Sequence, residues 1–166
     1  MTQTQHGLFD TIDTGTTARP GLVIIVRGQP KPKGSLRHIG HGRMKEEVKG
    51  SPAWRLAVKD AAVTAAEDAG LTEPLVCPLA VEATITVLKP QSAPKRRETW
   101  PITRSSGDID KHARNLLDAL ADAGVMRDDS QVIDLHIRKC YPGQHPDALD
   151  VRGAVIYLYP IGDTTP

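Results

Sequence analysis

Aromatic residues are scarce in this chain: Phe, Trp and Tyr together make up 4% of 166 residues. A core for one ordinary domain must then come mostly from Val, Leu, Ile and Ala. Long apolar runs are lacking too. None approaches the roughly 20 residues that span a bilayer, so no membrane helix is expected. The segment from Met1 to Pro20 is polar and lacks the basic-then-apolar order of a signal peptide. Cysteine occurs only at Cys77 and Cys140, without C-x-x-C spacing. Reduced thiols and a cytoplasmic location are therefore expected, and a bridge between the two is disfavoured. The six histidines include no H-E-x-x-H and have no cysteine partner at zinc spacing, which argues against structural zinc. There is no Walker A sequence, and Gly40-His41-Gly42 lacks the remaining glycine of a dinucleotide fingerprint, so no nucleotide cofactor is expected. The run His38-Ile39-Gly40-His41 matches a short signature of class I aminoacyl-tRNA synthetases. It lies in a basic, Gly-rich stretch without the strand-to-helix context that such a motif needs, and is read as coincidence.

Net charge is small as well, at +1, but it is segregated. Between Arg27 and Lys59 nine basic residues oppose Glu46 and Glu47, a local excess of seven. Between Lys89 and Arg104 five oppose Glu98, an excess of four. The remainder must carry a net −10 for the total to be +1. A basic surface for a polyanion, beside an acidic remainder, is the reading this pattern favours. Solvated loops are the bland alternative.

Periodicity marks the elements. Residues 1–20 show none and are expected to form a disordered arm. Leu22 to Val26 is a continuous branched run, which predicts a strand buried on both faces. Gly28 to Gly50 reads as a long basic loop. Ser51-Pro52 opens a helix, with Ser51 as N-cap, an apolar stripe from Trp54 through Val58 to Ala69, and Gly70 as its stop. Leu79 to Lys89 alternates as a strand, and Pro90 to Gly107 is a second irregular basic stretch in which Trp100 is a candidate DNA contact. A second helix starts at Asp108 or Ile109, buries Ala113, Leu116, Leu117, Leu120 and Ala121, and ends at Gly124. Gln131 to Tyr141 is the clearest strand, with Ile133, Leu135 and Ile137 on one face and Asp134, His136 and Arg138 on the other. Asp150 to Tyr159 is the last strand, expected to form a hairpin with it. The order β-α-β-α-β-β predicts a single α+β domain over 21–161, one mixed sheet with two helices packed on it, and a frayed tail at 162–166.

The acids of the second helix and the following turn carry the chemistry. Gly107-Asp108-Ile109-Asp110 places a D-x-D pair at the helix start, and Asp128-Asp129 precedes the strand. Mg²⁺ takes oxygen ligands, few of them from protein, and leaves room for water and phosphate. Asp108, Asp110 and Asp129, if gathered, would suit metal-assisted attack on a phosphodiester. The alternatives are structural: Asp108 as a helix cap, Asp110 as a complement to the helix dipole, and Asp128 and Asp129 as turn residues. Arg114 lies four residues after Asp110 and four before Asp118, so its alternative is an i,i+4 ion pair. Asp118 is read as structural.

The run from Gly107 to Tyr141 resembles the RusA family of Holliday junction resolvases. Members typically read D-[IL]-D-[NK]-x-x-[KR]-x-x-x-D-A-L, then D-D-x-Q-V, and each of these positions is met. Pro30-Lys31-Pro32-Lys33-Gly34 also resembles the basic N-terminal loop of phage-type members. The resemblance implies a homodimeric, Mg²⁺-dependent endonuclease, with Mn²⁺ as a substitute, that nicks four-way DNA junctions symmetrically in recombination and repair. It assigns catalysis and metal binding to Asp108, Asp110 and Asp129, and puts the family's conserved basic residue, also at the catalytic site, at Arg114, where the best-known form has Lys; Asp128, an adjacent acid that points another way, is left a supporting place at the metal, through bound water or by orienting a neighbour. Arg keeps phosphate binding and makes a proton-transfer role doubtful. Lys31, Lys33, Arg37, Arg43, Lys111 and Arg114 are the expected DNA contacts. Two other functions fit the residues: a Mg²⁺-dependent nuclease for forks or flaps, and a DNA-binding protein without catalysis. A calcium module is remote, because the acids lack EF-hand spacing.

Overall fold

The computed structural model describes residues 21–162 apart from 35, 47 and 48, and at 36–37 and 44–46 only the backbone. The expected arm at 1–20 and residues 163–166 of the expected tail lie outside the described residues. Among the described residues six strands and two α-helices follow in the order β1 (Leu22–Arg27), β2 (Leu36–His38), β3 (Met44–Glu46), α1 (Ser51–Asp68), β4 (Leu79–Thr86), α2 (Ile109–Asp122), β5 (Val132–Cys140) and β6 (Gly153–Pro160). Four strands form one mixed sheet in the order β1-β6-β4-β5. β4 and β5 run parallel; β6 is antiparallel to both β1 and β4. The domain is α+β, as its periodicity predicts.

One sheet face carries the core. Leu22, Ile24 and Val26 of β1, Val81, Ala83 and Ile85 of β4, and Ala154, Ile156 and Leu158 of β6 are buried together with Trp54 and Val58 of α1 and Leu116 and Leu120 of α2. Small and branched side chains supply nearly all of this packing, as the low aromatic content requires. Both helices stop where glycine allows a left-handed residue: Gly70 (φ 69°) after α1 and Gly124 (φ 73°) after α2.

Several expectations need correction. β5 and β6 are not a hairpin, because β4 lies between them. The residues 141–152 are long enough to cross it. β6, apolar on both faces at Ala154, Val155 and Ile156, takes an inner position, whereas β5 takes an edge. β1 is not buried on both faces; it is the other edge, with Val23 and Ile25 exposed on the face without helices. Gly28 to Gly50 is not all loop. β2 and β3 form a short antiparallel pair around Gly40-His41-Gly42, each too short to show a period. Gly50 (φ 88°), rather than Ser51, caps α1; Ser51 is the first helical residue and is buried, where its Oγ accepts from Asn115 Nδ2 at 3.1 Å.

Candidate active site

The D-x-D pair stands at the mouth of α2, and its entry is tightly built. Asp108 is the N-cap, with extended backbone (φ −79°, ψ 139°), but its carboxylate makes no capping hydrogen bond. It projects outward and pairs with Lys111 Nζ at 3.0 Å. That hydrogen bond, then the charge of Lys111, holds the Asp108 carboxyl below the usual carboxylate range. Asp110, in the first turn of α2, is exposed and makes no hydrogen bond or ion pair with any described residue. Its carboxylate lies where the helix dipole and free amide groups favour negative charge. Arg114, one turn further, is likewise exposed and pairs with no described residue, so the alternative i,i+4 pair does not form. Asp118 is taken instead by Lys33 and by Arg55 at 3.5 Å, which fits its structural reading.

Three side chains that sequence reasoning missed fix this entry. A short turn of 3₁₀ helix, Arg104–Ser106, precedes Gly107, whose φ of 78° suits glycine alone. A Cβ there would come within 2.7 Å of His112 Nε2 and 2.8 Å of Pro32 Cγ. His112 is fully buried and lies 2.8 Å from the Ser106 carbonyl through Nε2, which therefore carries the proton and donates. Its Nδ1 is buried without a partner among the described residues, and burial lowers the imidazole's pKa. Lys139, near the end of β5, reaches across to donate to Gly107 O and to Ser106 Oγ at 3.1 Å. Burial lowers the Lys139 pKa against the opposing pull of Asp108. A lysine that continues the apolar alternation Ile133, Leu135, Ile137 is the sequence signal that could have found it. Asn115, the third, is buried and donates to Lys31 O at 2.9 Å.

The Pro-Lys-Pro-Lys-Gly segment therefore lies along α2 although it is remote in sequence. Lys33 N donates to Lys111 O at 3.0 Å, and Lys33 Nζ is committed to Asp118 rather than free for phosphate. Lys31 is half-buried, Arg43 exposed, and the Arg37 side chain is outside the described residues. Trp100 is 51% exposed, and its carbonyl accepts from Tyr141 Oη at 3.4 Å.

Asp128 and Asp129 stand elsewhere. Asp128 caps a short 3₁₀ turn, Asp129–Gln131: its Oδ1 accepts from Ser130 N at 2.9 Å, and Gln131 Oε1 accepts from Asp128 N at 3.1 Å. Hydrogen bonds from Ser130 hold its carboxyl low. Gln131 also donates to Leu75 O and Cys77 O, tying the turn to the entry of β4. Asp129 is exposed at the start of this turn. α2 runs back along β5, so Lys139 near the end of β5 meets Gly107, whereas Asp129 precedes the beginning of β5. The 14 residues of α2 rise about 21 Å. One chain thus sets Asp108 and Asp110 at one end of the α2–β5 unit and Asp129 at the other. Among the described residues no three His, Cys, Asp or Glu side chains are grouped as a metal site. The donors themselves fit a hard cation: exposed carboxylates with oxygen lone pairs, two of them at a helix N-terminus with no capping bond.

An exposed D-x-D at a helix mouth, with an arginine one turn on that pairs with no described residue and basic loops alongside, is compatible with a site for a cation and a phosphate. The chain matches the family model of endodeoxyribonuclease RusA over residues 27–151. It belongs to that family and is an endodeoxyribonuclease, a hydrolase of DNA phosphodiester bonds. Membership implies action on Holliday junctions. No curated protein matches the chain. None of its described helices is long and apolar enough to cross a membrane.

Proposed function

We propose that the protein is a cytoplasmic, Mg²⁺-dependent endonuclease that resolves four-way DNA junctions by paired cuts, in DNA recombination and repair, and that it acts as a homodimer. The observation that carries this reading is the exposed, outward-facing D-x-D at the start of α2, whose carboxylates make no capping bond and whose entry is braced from behind by His112 and Lys139. Asp108, Asp110 and Asp129 are the residues to hold Mg²⁺ or Mn²⁺, and Asp128 holds the turn that presents Asp129. When bound, the cation supplies an activated water and offsets charge on the attacking and leaving oxygens. Arg114 contacts the scissile phosphate with a fixed, two-pronged charge. Lys31, Arg37, Arg43 and Lys111 follow the flanking backbone, and Lys33 does so only if it leaves Asp118. Lys111 must release Asp108 for the cation to enter. Products carry 5′-phosphate and 3′-hydroxyl ends.

The separation of the acids along α2 has a direct consequence for this reading. A shared cation needs Asp108 and Asp110 from one protomer and Asp129 from its partner. A two-fold axis then creates two equivalent sites, one for each cut.

The test is cleavage of a labelled immobile four-way junction, a fork and a plain duplex, each with and without Mg²⁺. Expected are paired cuts in the junction with Mg²⁺, little cutting of duplex, and no cutting by Asp110→Asn with junction binding retained. Equal cutting by Asp110→Asn would overturn the reading. Stronger cutting of the fork would shift the substrate while leaving the chemistry.

A further inference from the structure

A cavity of about 190 Å³ lies beside the D-x-D, past the ends of β4 and β5. Ser105 and Ser106 of the turn before Gly107 line it, and two residues of chain, at most about 7 Å, lead from Ser106 to Asp108. One water takes roughly 30 Å³, and small-molecule pockets enclose roughly 300–1,000 Å³. The space therefore suits a single planar ring. Its walls are apolar at Pro30, Leu88 and Tyr141 and polar at Gln29, Ser105 and Arg152. The Gln29 amide and the Arg152 guanidinium make no hydrogen bond or ion pair with any described residue. An amide offers both donors and an acceptor, the set that reads the edge of a base.

Thr103 also lines the cavity, and Ile102 beside it is 89% exposed. Trp100 stands exposed two residues earlier. Single exposed apolar side chains are ordinary on a protein surface, but these two ride on a backbone fixed at successive carbonyls. Gln144 Nε2 donates to Thr99 O at 2.9 Å, Tyr141 Oη donates to Trp100 O at 3.4 Å, and Ser106 Oγ donates to Pro101 O at 2.7 Å. Pro101 itself is buried. The stretch that holds both side chains outward carries the five basic residues from Lys89 to Arg104, so a polyanion is what it attracts.

We propose that Ile102 enters the base stack at the branch point and that the base it displaces is held in this cavity, next to the scissile phosphate. The inference rests on the nuclease reading above and names how that site selects its substrate. Apolar wedges part base steps in this way. A displaced base is gripped between apolar walls and read at its edge. Trp100 offers a ring to the base left behind. Unstacking is costly in an unbroken duplex and least where pairing is already interrupted. An enzyme that extracts a base before it cuts therefore favours branched DNA, and the Gln29 amide adds a preference among the four bases.

Two measurements on the full chain test this. The first is the fluorescence of 2-aminopurine, placed in turn at each branch-point nucleotide of a four-way junction, with wild type and without Mg²⁺. A several-fold rise is expected at one position and none in mid-arm, and Ile102→Ala should lose the rise. The second is cutting with Mg²⁺. Ile102→Ala should cut the intact junction on the order of tenfold more slowly. An abasic nucleotide at the position that brightens should restore its rate, because no base is left to extract. Gln29→Ala should level the rates among the four bases at that position. Absence of brightening, with Ile102→Ala cutting as fast as wild type, overturns the inference and leaves the nuclease reading intact. Slow cutting by Ile102→Ala that the abasic nucleotide does not restore overturns it too. Brightening that depends on Ile102 without any Mg²⁺-dependent cutting supports base extraction and sinks the nuclease reading instead.

Discussion

Arg114 and Asp110 sit one helical turn apart, carry opposite charges and do not pair with each other. Both are left facing solvent at the mouth of α2, which is the arrangement a cation and a phosphate require. Arg114→Ala should lower junction cleavage on the order of 10²-fold, the scale for removing one group that stabilises transition-state charge. It should also reduce the salt slope of binding by about 1. Arg114→Lys should recover most of the binding. Unchanged cleavage in Arg114→Ala would remove the residue from the site. Tyr157 offers a test of the structure apart from catalysis. Its hydroxyl donates to Asp147 at 2.8 Å, and that bond pushes its pKa up to about 12. The folded state then keeps the proton that the unfolded chain loses near pH 10. The stabilisation is complete below pH 10 and disappears as pH rises toward 12. Melting temperatures across that range should fall more steeply for wild type than for Tyr157→Phe; parallel curves would contradict the bond.

At the scale of elements, α2 and its entry decide what the site can do. Gly107→Ala must place a Cβ against His112 and Pro32 at a backbone angle that side chains avoid. It should lose about 1–3 kcal/mol of stability in urea melts and most of its cleavage, because Asp108 is the next residue. Leu116→Ala, fully buried under the same helix, should lose about 2–5 kcal/mol. Both helices, their stops and the D-x-D at the start of α2 were legible in the sequence, because helical period and C-terminal glycines are local signals. The β5–β6 hairpin was misread, since nothing local in Val132 to Pro160 says that β4 inserts between them. β1 was misread for a related reason: Val23 and Ile25 are as apolar as core residues, and only topology exposes them. His112 carries no local signal as a site residue, and the lysine at the end of an apolar alternation marks Lys139 as unusual without saying what it holds, because both act through contacts with the turn before α2.

For the whole molecule, charge and chain direction matter more than any single contact. The basic segments reach the site from two directions, the Pro30–Gly34 segment along α2 and the 90–107 stretch leading into Gly107. The acids, by contrast, are divided between the two ends of the α2–β5 unit, and no motif in the sequence announces that division. In the proposed mechanism, cleavage needs Asp110 of one copy and Asp129 of another around one cation. Mixing two inactive proteins, Asp110→Asn and Asp129→Asn, and allowing subunits to exchange tests this claim. In a mixed dimer one site collects both substitutions and the other collects none. Nicking of the four-way junction should therefore return, at about a quarter of the wild-type number of sites for random exchange. Strictly one nick per mixed dimer is expected, in place of paired cuts. A mixture that exchanges subunits and remains inactive would show that each chain needs both of its own acids, and would contradict the account.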